Sequence, residues 1–509
     1  MVFPASLRRG RQRAGLAWCW RWCWRRWSVW SCAGLRGVVR ARRPRFARWL
    51  AGGCGCLLAG ALALALAPRA ARANGAFPAS EGILVPAARP GEITLVTNFG
   101  LVTSSDGGRS WLWSCEQTAN SLGYLYQYGP APRNRLYALA NQTLIRSDDN
   151  ACGWQAATGV VLGKGLTDFF PDPGNPDRVL AAGFDYTTFN YAVYASHDGG
   201  ATFDVALYDS GVRNAIDGIE IARSDPHTIY ATTSLVATGA PALARSNDDG
   251  AHWQSVDLLA TLGAGTLRII AVDLDDAQRV LLLWKGTSQE KLALTRDGGQ
   301  TVAVSLDPGA NNHFTSYART AAGTILIGGQ DAAMNPLLHR SYDGGVTFSL
   351  AALPQPHLGG LAARGNDVYA ATDNFADGYA LGVSTDEGAS WQALMSYDRV
   401  SAIVACLKDA CQTICDQEVM LRLWPAAVCS ADPAAAPGDG GSDAATGGSD
   451  GGTDARGTAG GGGAGGGGAG GSGHPATRGG GCAIVPQRSA AGVAWAVLAG
   501  LLLARRRRR

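Results

Sequence analysis

Three stretches of this chain combine aromatic rings with amides and acids. Residues 184–191 hold four aromatic side chains, residues 373–379 hold two, and residues 330–336 lie between them as a polar segment. Rings offer flat surfaces to sugars and peptides, while amides and carboxylates fix the orientation of a ligand. We expect a binding surface here; the alternative is that the rings pack over neighbouring parts of the fold. The candidate binding residues are Phe184, Tyr186, Phe189, Tyr191, Asn335, Phe375 and Tyr379.

Seven aspartates recur within one short phrase, Ser/Thr-x-Asp-x-Gly-x-x-aromatic, at intervals of 43 to 50 residues. The Asp can accept hydrogen bonds from backbone N–H groups, the Gly adopts a backbone shape that other residues resist, and the terminal ring can fill the gap between neighbouring sheets. The phrase therefore builds a turn and performs no chemistry. Two copies depart from it, with Ala151 in place of Gly and Val302 in place of the ring. The seven aspartates are Asp106, Asp149, Asp198, Asp248, Asp297, Asp343 and Asp386.

The spacing of these turns is close to the length of one four-stranded blade, which is the sequence signature of a β-propeller. A short apolar or β-branched run precedes each turn, as expected for one inner strand per blade. Both patterns give the same count, so we predict an all-β, seven-bladed β-propeller over residues 81–405. We expect segments near 83–85 and 400–405 to close the ring together, because closure by both ends removes exposed sheet edges.

The recurring phrase resembles the Asp-box repeat of bacterial neuraminidases. With the proline turns and apolar strands before it, as in DPGNPDRV at 172–179, it is similar to the propellers of sialidases, xyloglucanases, sortilin-type receptors and photosystem assembly factors. In such propellers the Asp turns join the third and fourth strands on one face, and ligands usually meet the opposite face. The resemblance implies no single activity, because that set contains both enzymes and binding proteins.

The sequence lacks the catalytic signatures of the enzymes in that set. Sialidases use an arginine trio and an early Arg-Ile-Pro segment, which residues 78–96 do not contain. Arg213, Arg268 and Arg319 fall one per blade near the predicted innermost strands, and we interpret them as scattered or salt-bridged. Xyloglucanases place paired acids between two propellers, whereas one propeller is predicted here. We expect no catalytic residue, no metal and no cofactor.

The first 73 residues are predicted to be absent from the mature protein. They contain fifteen arginines and no acid, and residues 18–30 carry six tryptophans. Residues 1–37 are either a membrane-active peptide or an untranslated upstream stretch, and we favour the second. Residues 38–73 have the basic, apolar and small-x-small parts of a signal peptide, which predicts cleavage after Ala73 and export.

The charge of the chain without its termini is strongly acidic. Without residues 1–73 and the arginines of 488–509, 23 basic residues face 41 acidic ones, a net charge of −18. This charge argues against nucleic-acid binding, which needs a basic surface.

Six cysteines remain in the predicted folded body, and an even number in an exported chain suggests disulfides. Cys115 follows the first Asp turn and Cys152 lies inside the second, so we predict that they pair. The other four should form two bridges inside a small cap, residues 406–430, with a helix over residues 417–424. A metal site built on Cys411 and Cys415 would lack the usual two-residue spacing and a nearby histidine pair. The disulfide candidates are Cys115, Cys152, Cys406, Cys411, Cys415 and Cys429.

The C-terminal part is predicted to be a flexible linker followed by a sorting signal. Residues 431–481 are rich in Gly, Ala, Ser and Asp, cannot bury a core, and are expected to form a disordered linker. Residues 482–509 contain Cys482, an apolar run at 490–504 and five terminal arginines. This order resembles the myxobacterial C-terminal sorting tail, which implies a short apolar helix in the membrane, processing at Cys482 and an outer-surface location.

These features predict an exported, surface-anchored, non-catalytic propeller that is monomeric and binds a glycan or an extracellular protein. Its membrane contact is expected through the C-terminal tail. The first alternative is a glycoside hydrolase of sialidase-like architecture, which requires a carboxylate pair and an arginine cluster converging at the central pocket opposite the Asp turns. The second alternative is a structural protein of the cell envelope, which requires no pocket.

Overall fold

A computed structural model describes residues 78–119 and 123–432. In blades 1 to 3 the strands are β1 (Ser80–Leu84), β2 (Ile93–Thr97), β3 (Gly100–Ser104), β4 (Leu112–Cys115), β5 (Gly123–Tyr128), β6 (Leu136–Ala140), β7 (Thr143–Ser147), β8 (Gln155–Ala156), β9 (Thr158–Gly159), β10 (Gly165–Pro171), β11 (Val179–Phe184), β12 (Asn190–Ser196), β13 (Thr202–Phe203) and β14 (Val205–Val212).

Blades 4 to 7 continue the same arrangement. Their strands are β15 (Asn214–Ile221), β16 (Ile229–Leu235), β17 (Ala240–Ser246), β18 (Gln254–Asp257), β19 (Thr266–Val272), β20 (Val280–Lys285), β21 (Glu290–Thr295), β22 (Ala303–Leu306), β23 (His313–Arg319), β24 (Ile325–Gln330), β25 (Pro336–Ser341), β26 (Ser349–Leu350), β27 (Gly360–Arg364), β28 (Asp367–Ala371), β29 (Leu381–Ser384) and β30 (Gln392–Met395), followed by β31 (Ala402–Ile403). The α-helices of the described residues are α1 (Leu259–Leu262), α2 (Lys408–Met420) and α3 (Ala427–Ser430).

These strands form seven blades, each with four antiparallel strands, and the sheet of blade 1 carries a fifth strand, which confirms the predicted seven blades. Blade 3 consists of β10, β11, β12 and β14, while β9 and β13 pair in parallel as a separate two-stranded sheet. The apolar runs found in the sequence are the second strands of the blades, and a further strand lies inside each of them.

The alternating strand directions give the ring two different faces. The turns between third and fourth strands carry the seven repeated aspartates, and we call their side the Asp-box face. The connections between second and third strands, and those between successive blades, lie on the other side, which we call the loop face. Residues 184–191, 330–336 and 373–379 all connect second to third strands, so they all belong to the loop face.

The hydrophobic core lies between blades. Seven clusters of buried side chains each draw on two adjacent blades. The last residue of each Asp phrase packs where its blade meets the preceding one: Phe203, fully buried, lies between blades 2 and 3, and Trp111 lies between blades 7 and 1. Even the small Val302 takes this position, between blades 4 and 5. The predicted role of these residues as inter-blade plugs is confirmed.

The Asp turns share one hydrogen-bond pattern. Each Asp Oδ1 accepts the hydroxyl proton of the Ser or Thr two residues earlier at 2.7–2.9 Å and the N–H four residues later at 2.8–3.0 Å. At Asp386, hydrogen bonds from the Ser390 hydroxyl and N–H lower the pKa of the carboxyl to about 2. Ala151 fills the glycine position of the second copy at φ 70°, and its N–H still reaches the Ser147 hydroxyl.

Both ends of the ring meet in one sheet, as predicted, but not as parts of the same four strands. Residues 83–84 belong to β1, the innermost strand of blade 1. Residues 402–403 form β31, which pairs in parallel with β4 as a fifth and outermost strand. The C-terminal segment therefore covers the outer edge of blade 1, an edge that would otherwise expose unpaired backbone groups.

The predicted Cys115–Cys152 bridge is wrong, and so is the prediction of two bridges inside the cap. Cys115 pairs with Cys411 and Cys152 pairs with Cys406, while Cys415–Cys429 lies within the cap. The reason is position: Cys115 ends β4 at the loop face, whereas Cys152 lies in an Asp turn on the opposite face. The segment after β31 passes both sites and supplies a partner to each, so two bridges join the cap to the ring.

The cap helix also differs from its predicted range. Helix α2 covers 408–420, so only residues 417–420 of the expected 417–424 are helical. The chain turns at Arg422, whose φ is 61°, and Trp424 then packs against blade 1, with its ring centroid 5.0 Å from that of Trp113. Burial of this ring on the propeller competes with continuation of the helix.

Several predictions concern residues that the structure does not describe. The leader with its cleavage site after Ala73, the linker beyond residue 432 and the tail with Cys482 all lie outside the described residues. Among the described residues, no helix is long and apolar enough to cross a membrane.

Candidate functional site

The structure places the seven candidate binding residues on the loop face, in two patches. Residues 184–191 join β11 to β12 in blade 3, whereas 330–336 and 373–379 belong to the adjacent blades 6 and 7. Blade 3 lies across the ring from them. We call residues 184–191 the blade 3 patch and the other two segments the blade 6–7 patch.

Three of the rings reach solvent. Tyr186 is 54% exposed, Phe189 is 50% exposed and Phe375 is 48% exposed. Phe184 and Tyr191 are half-buried, and the Phe184 ring centroid lies 4.7 Å from that of Tyr186 and 5.3 Å from that of Tyr191. The two half-buried rings therefore support the exposed ring of Tyr186.

Polar groups from neighbouring segments border the blade 3 patch. The Tyr186 hydroxyl donates a hydrogen bond to Oε1 of Gln142, which lies in a blade 2 turn. The Arg213 guanidinium lies 5.6 Å from the centre of the Phe189 ring. The patch thus offers apolar ring surface beside an amide and a cation, the combination that suits carbohydrate or peptide ligands.

An aspartate near the start of each loop fixes its backbone. In each case the carboxylate accepts two N–H groups of the residues that follow, at 2.7–3.1 Å; the pairs are Asp185 with Thr187 and Thr188, Asp331 with Ala333 and Asn335, and Asp373 with Phe375 and Ala376. The hydrogen bond from Lys164 lowers the pKa of Asp185 to about 2. Loops fixed in this way lose less conformational entropy when a ligand binds.

Contacts with the buried Tyr397 hold part of the blade 6–7 patch in place. The Phe375 ring centroid lies 6.1 Å from that of the buried Tyr397, and the Asn374 Oδ1 accepts the Tyr397 N–H at 3.0 Å. Tyr379 is half-buried. The exposed Asn335 donates its side-chain amide to Asp331 at 2.9 Å, so this part of the amide is used within its own loop.

A second group of polar side chains lies on the innermost strands, and the sequence analysis did not single it out. Asp168 Oδ2 accepts the N–H of Ile219 at 2.9 Å, and Glu220 Oε1 accepts the N–H of Val272 at 3.0 Å. Each bond ties the innermost strand of one blade to that of the next. These carboxyl groups therefore have a structural role at the central channel.

Burial raises the pKa values of three carboxyl groups on these strands. Burial raises the pKa of Asp168 and of Asp217 to about 6, against the opposing charge of Arg268. Burial raises the pKa of Glu220 to about 8, with a smaller contribution from Asp168. Carboxyl groups with such raised pKa values are also found at catalytic sites.

The three arginines singled out in the sequence do not form a carboxylate-binding trio. Arg319 ends β23 at the Asp-box face and forms ion pairs with Asp273 at 3.8 Å and Asp275 at 3.2 Å. Arg213 lies at the loop face over Phe189. Arg268 belongs to the innermost strand β19. Within residues 78–119 and 123–432, no group of three or more His, Cys, Asp or Glu side chains could hold a metal ion.

No family model and no curated protein matches the chain. Among solved structures it is similar to the GH74 xyloglucanase of Xanthomonas campestris (19% identity, TM-score 0.41, 53% of this chain and 45% of that chain). It is also similar to YCF48 of Cyanidioschyzon merolae (14%, 0.41, 58% and 92%). A third likeness is to PorZ, a surface component of the type-IX secretion system of Porphyromonas gingivalis (12%, 0.42, 62% and 38%). The chain thus spans less than half of the xyloglucanase.

The strand topology and the seven Asp turns define the class of this protein. It is a seven-bladed β-propeller with an Asp-box turn between the third and fourth strands of every blade.

Proposed function

We propose that this protein is an exported, monomeric, non-catalytic propeller that binds a glycan or an extracellular protein at its loop face. The observation that carries the proposal is the set of half-exposed rings Tyr186, Phe189 and Phe375 on loops whose backbones are already fixed by aspartates. A folded protein gains little stability from rings left in water, whereas rigid exposed rings are effective contact residues in binding sites.

The proposed location follows from the termini and the cysteines. A signal peptide ending at Ala73 exports the chain, and the sorting tail with Cys482 holds it on the cell surface. The three disulfides support export, because such bonds form and persist in oxidising compartments. The linker between the cap and the tail keeps the propeller away from the membrane.

A glycoside hydrolase is the second candidate, and one observation favours it. Asp168, Asp217 and Glu220 are carboxyl groups with raised pKa values on adjacent innermost strands, and a pair of such groups is what glycoside hydrolysis uses. Against it, Asp168 and Glu220 are already engaged with backbone N–H groups, and the three arginines do not converge.

Alanine substitution of the exposed rings tests the proposed surface. We expect Tyr186→Ala with Phe189→Ala, or Phe375→Ala alone, to weaken binding of a glycan-array ligand at least about tenfold, because buried aromatic contacts dominate binding energy. The melting temperature should change by no more than about 2 °C. Tyr342→Ala is the matched control, since this ring is 64% exposed but belongs to an Asp turn on the opposite face.

Two outcomes would contradict this surface. Equal affinity of the ring variants and the wild type would place the site elsewhere. A large loss of stability in the ring variants would mean that the rings pack over neighbouring parts of the fold, which is the alternative interpretation of these segments.

A further inference from the structure

A cavity of about 370 Å³ occupies the central channel at the Asp-box end. All seven blades contribute to its wall, and its outer rim includes residues just beyond the innermost strands, among them the exposed Ala88, Ala131 and Arg223. Its volume lies within the range of about 300–1,000 Å³ that small-molecule sites occupy. This cavity is on the face opposite the two aromatic patches, so it is independent of the proposed function.

The wall of the cavity combines apolar and polar surface in nearly equal parts, with one acid on an innermost strand. Tyr128, Phe170 and Tyr317 line it together with prolines from three blades. Glu220 also lines it and is 9% exposed. Its Oε1 accepts the Val272 N–H, while Oε2 forms no hydrogen bond and no ion pair within the described part of the chain.

A comparison inside the same ring shows what Glu220 lacks. Glu290 is also buried, and its Oε2 accepts an N–H of the next blade, that of Phe314, at 2.8 Å. Glu290 in addition pairs with the Lys285 ammonium at 2.9 Å. A buried carboxylate is expensive to maintain without a cation. Glu220 therefore lacks the cation that Glu290 has, and it borders a cavity that could hold one.

We propose that this cavity binds a ligand that carries a single ammonium or guanidinium group at the tip of a slender uncharged stem, with the cation paired to Glu220. The apolar side chains of the wall, such as Phe170 and Leu125, contact the stem. The exposed Arg223 at the rim repels a second positive charge. A lysine or arginine side chain on an otherwise neutral peptide satisfies these conditions better than a free polyamine does.

The test uses the full chain and capped Ala-Pro-Lys, Ala-Pro-norleucine and spermidine as probes, with affinity measured by calorimetry. We expect the lysine peptide to bind, the norleucine peptide to bind at least tenfold more weakly, and spermidine to bind more weakly than the lysine peptide. Tighter binding of spermidine would show that the source of the cation is a polyamine and would overturn the assignment to a peptide. Equal affinity for lysine and norleucine would overturn the cation site itself.

Substitutions locate the site. Glu220→Gln keeps the oxygen that accepts the Val272 N–H and should weaken binding of the lysine peptide at least tenfold, whereas Glu290→Gln should leave it unchanged. Unchanged affinity in the Glu220 variant would overturn the proposal. Because the norleucine comparison uses the wild-type protein, the proposal stays falsifiable even if a variant folds poorly.

Discussion

Removal of both disulfides that join the cap to the ring should unfold the propeller under conditions in which either single bridge keeps it folded. Cys115–Cys411 and Cys152–Cys406 close loops of 296 and 254 residues. Once one is formed, the other closes only a further loop of about 42 residues, the difference of the two separations. The chain-entropy model assigns about 4 kcal/mol to a loop of that size and about 5.6 kcal/mol to the longer ones.

The expected result is that loss of the second of these bridges destabilises the fold more than loss of the first. Replacing one pair by serine should lower the free energy of unfolding by about 4 kcal/mol, and replacing both pairs should lower it by about 10 kcal/mol. A total of that size is comparable with the whole stability of a typical domain. Urea unfolding of the wild type, the two single-pair variants and the double-pair variant measures these differences.

The cap's internal bridge provides the control. Cys415–Cys429 spans only 14 residues, so its removal should lower stability by about 3 kcal/mol and leave ring closure intact. If loss of the two long-range pairs is simply the sum of two equal effects, the nested-loop explanation is wrong.

The second large effect concerns stability at alkaline pH. The pKa of Glu220 is raised from 4.5 to about 8, so the folded state holds its proton more tightly than the unfolded state does. The stabilisation is therefore complete below about pH 4.5 and is lost as pH rises through about 8. Glu220→Gln cannot ionise, and its stability should fall less between pH 5 and pH 9, by on the order of 3 kcal/mol.

Glu290→Gln is the matched variant for this measurement. Glu290 also accepts an N–H from the next blade but already pairs with Lys285. Glu290→Gln should lower the free energy of unfolding at neutral pH, but that free energy should then fall between pH 5 and pH 9 as much as it does in the wild type. Parallel stability curves for wild type and Glu220→Gln would show that Glu220 does not titrate in this range.

The repeated parts of the fold could be predicted from the sequence because each is specified locally. The Ser or Thr, the Asp and the terminal ring of each turn act within eight residues, so the phrase predicts both the turn and its plug. Asp198 and Phe203, for example, do what their phrase predicts.

The cap could not be predicted because its contacts are long-range. The pairing of Cys115 with Cys411 depends on β31 lying beside β4, and no local pattern near Cys411 indicates that strand. The expected helix over 417–424 failed for the same reason, since Trp424 is held by a ring more than 300 residues earlier, that of Trp113.

The candidate site was only partly accessible to sequence reasoning. The exposed rings stand out by composition. The aspartates that fix their loops, such as Asp185 and Asp373, lie just after the second strands, where Asp commonly forms turns, but the sequence analysis did not predict this role for them. The channel acids were missed because β-bulges interrupt the alternation of six of the seven innermost strands, as between Ile216 and Gly218 around Asp217.

The most direct test of the central claim, binding without catalysis, is to incubate the full chain with sialylated and xyloglucan-type oligosaccharides and with the ligands it retains on a glycan array. Mass spectrometry of the sugars would follow hydrolysis while titration follows binding. We expect saturable binding that depends on Tyr186, Phe189 or Phe375, with every sugar recovered intact. Sustained release of cleaved sugar that is lost in Asp168→Asn or Glu220→Gln would contradict this and would make the central channel an active site.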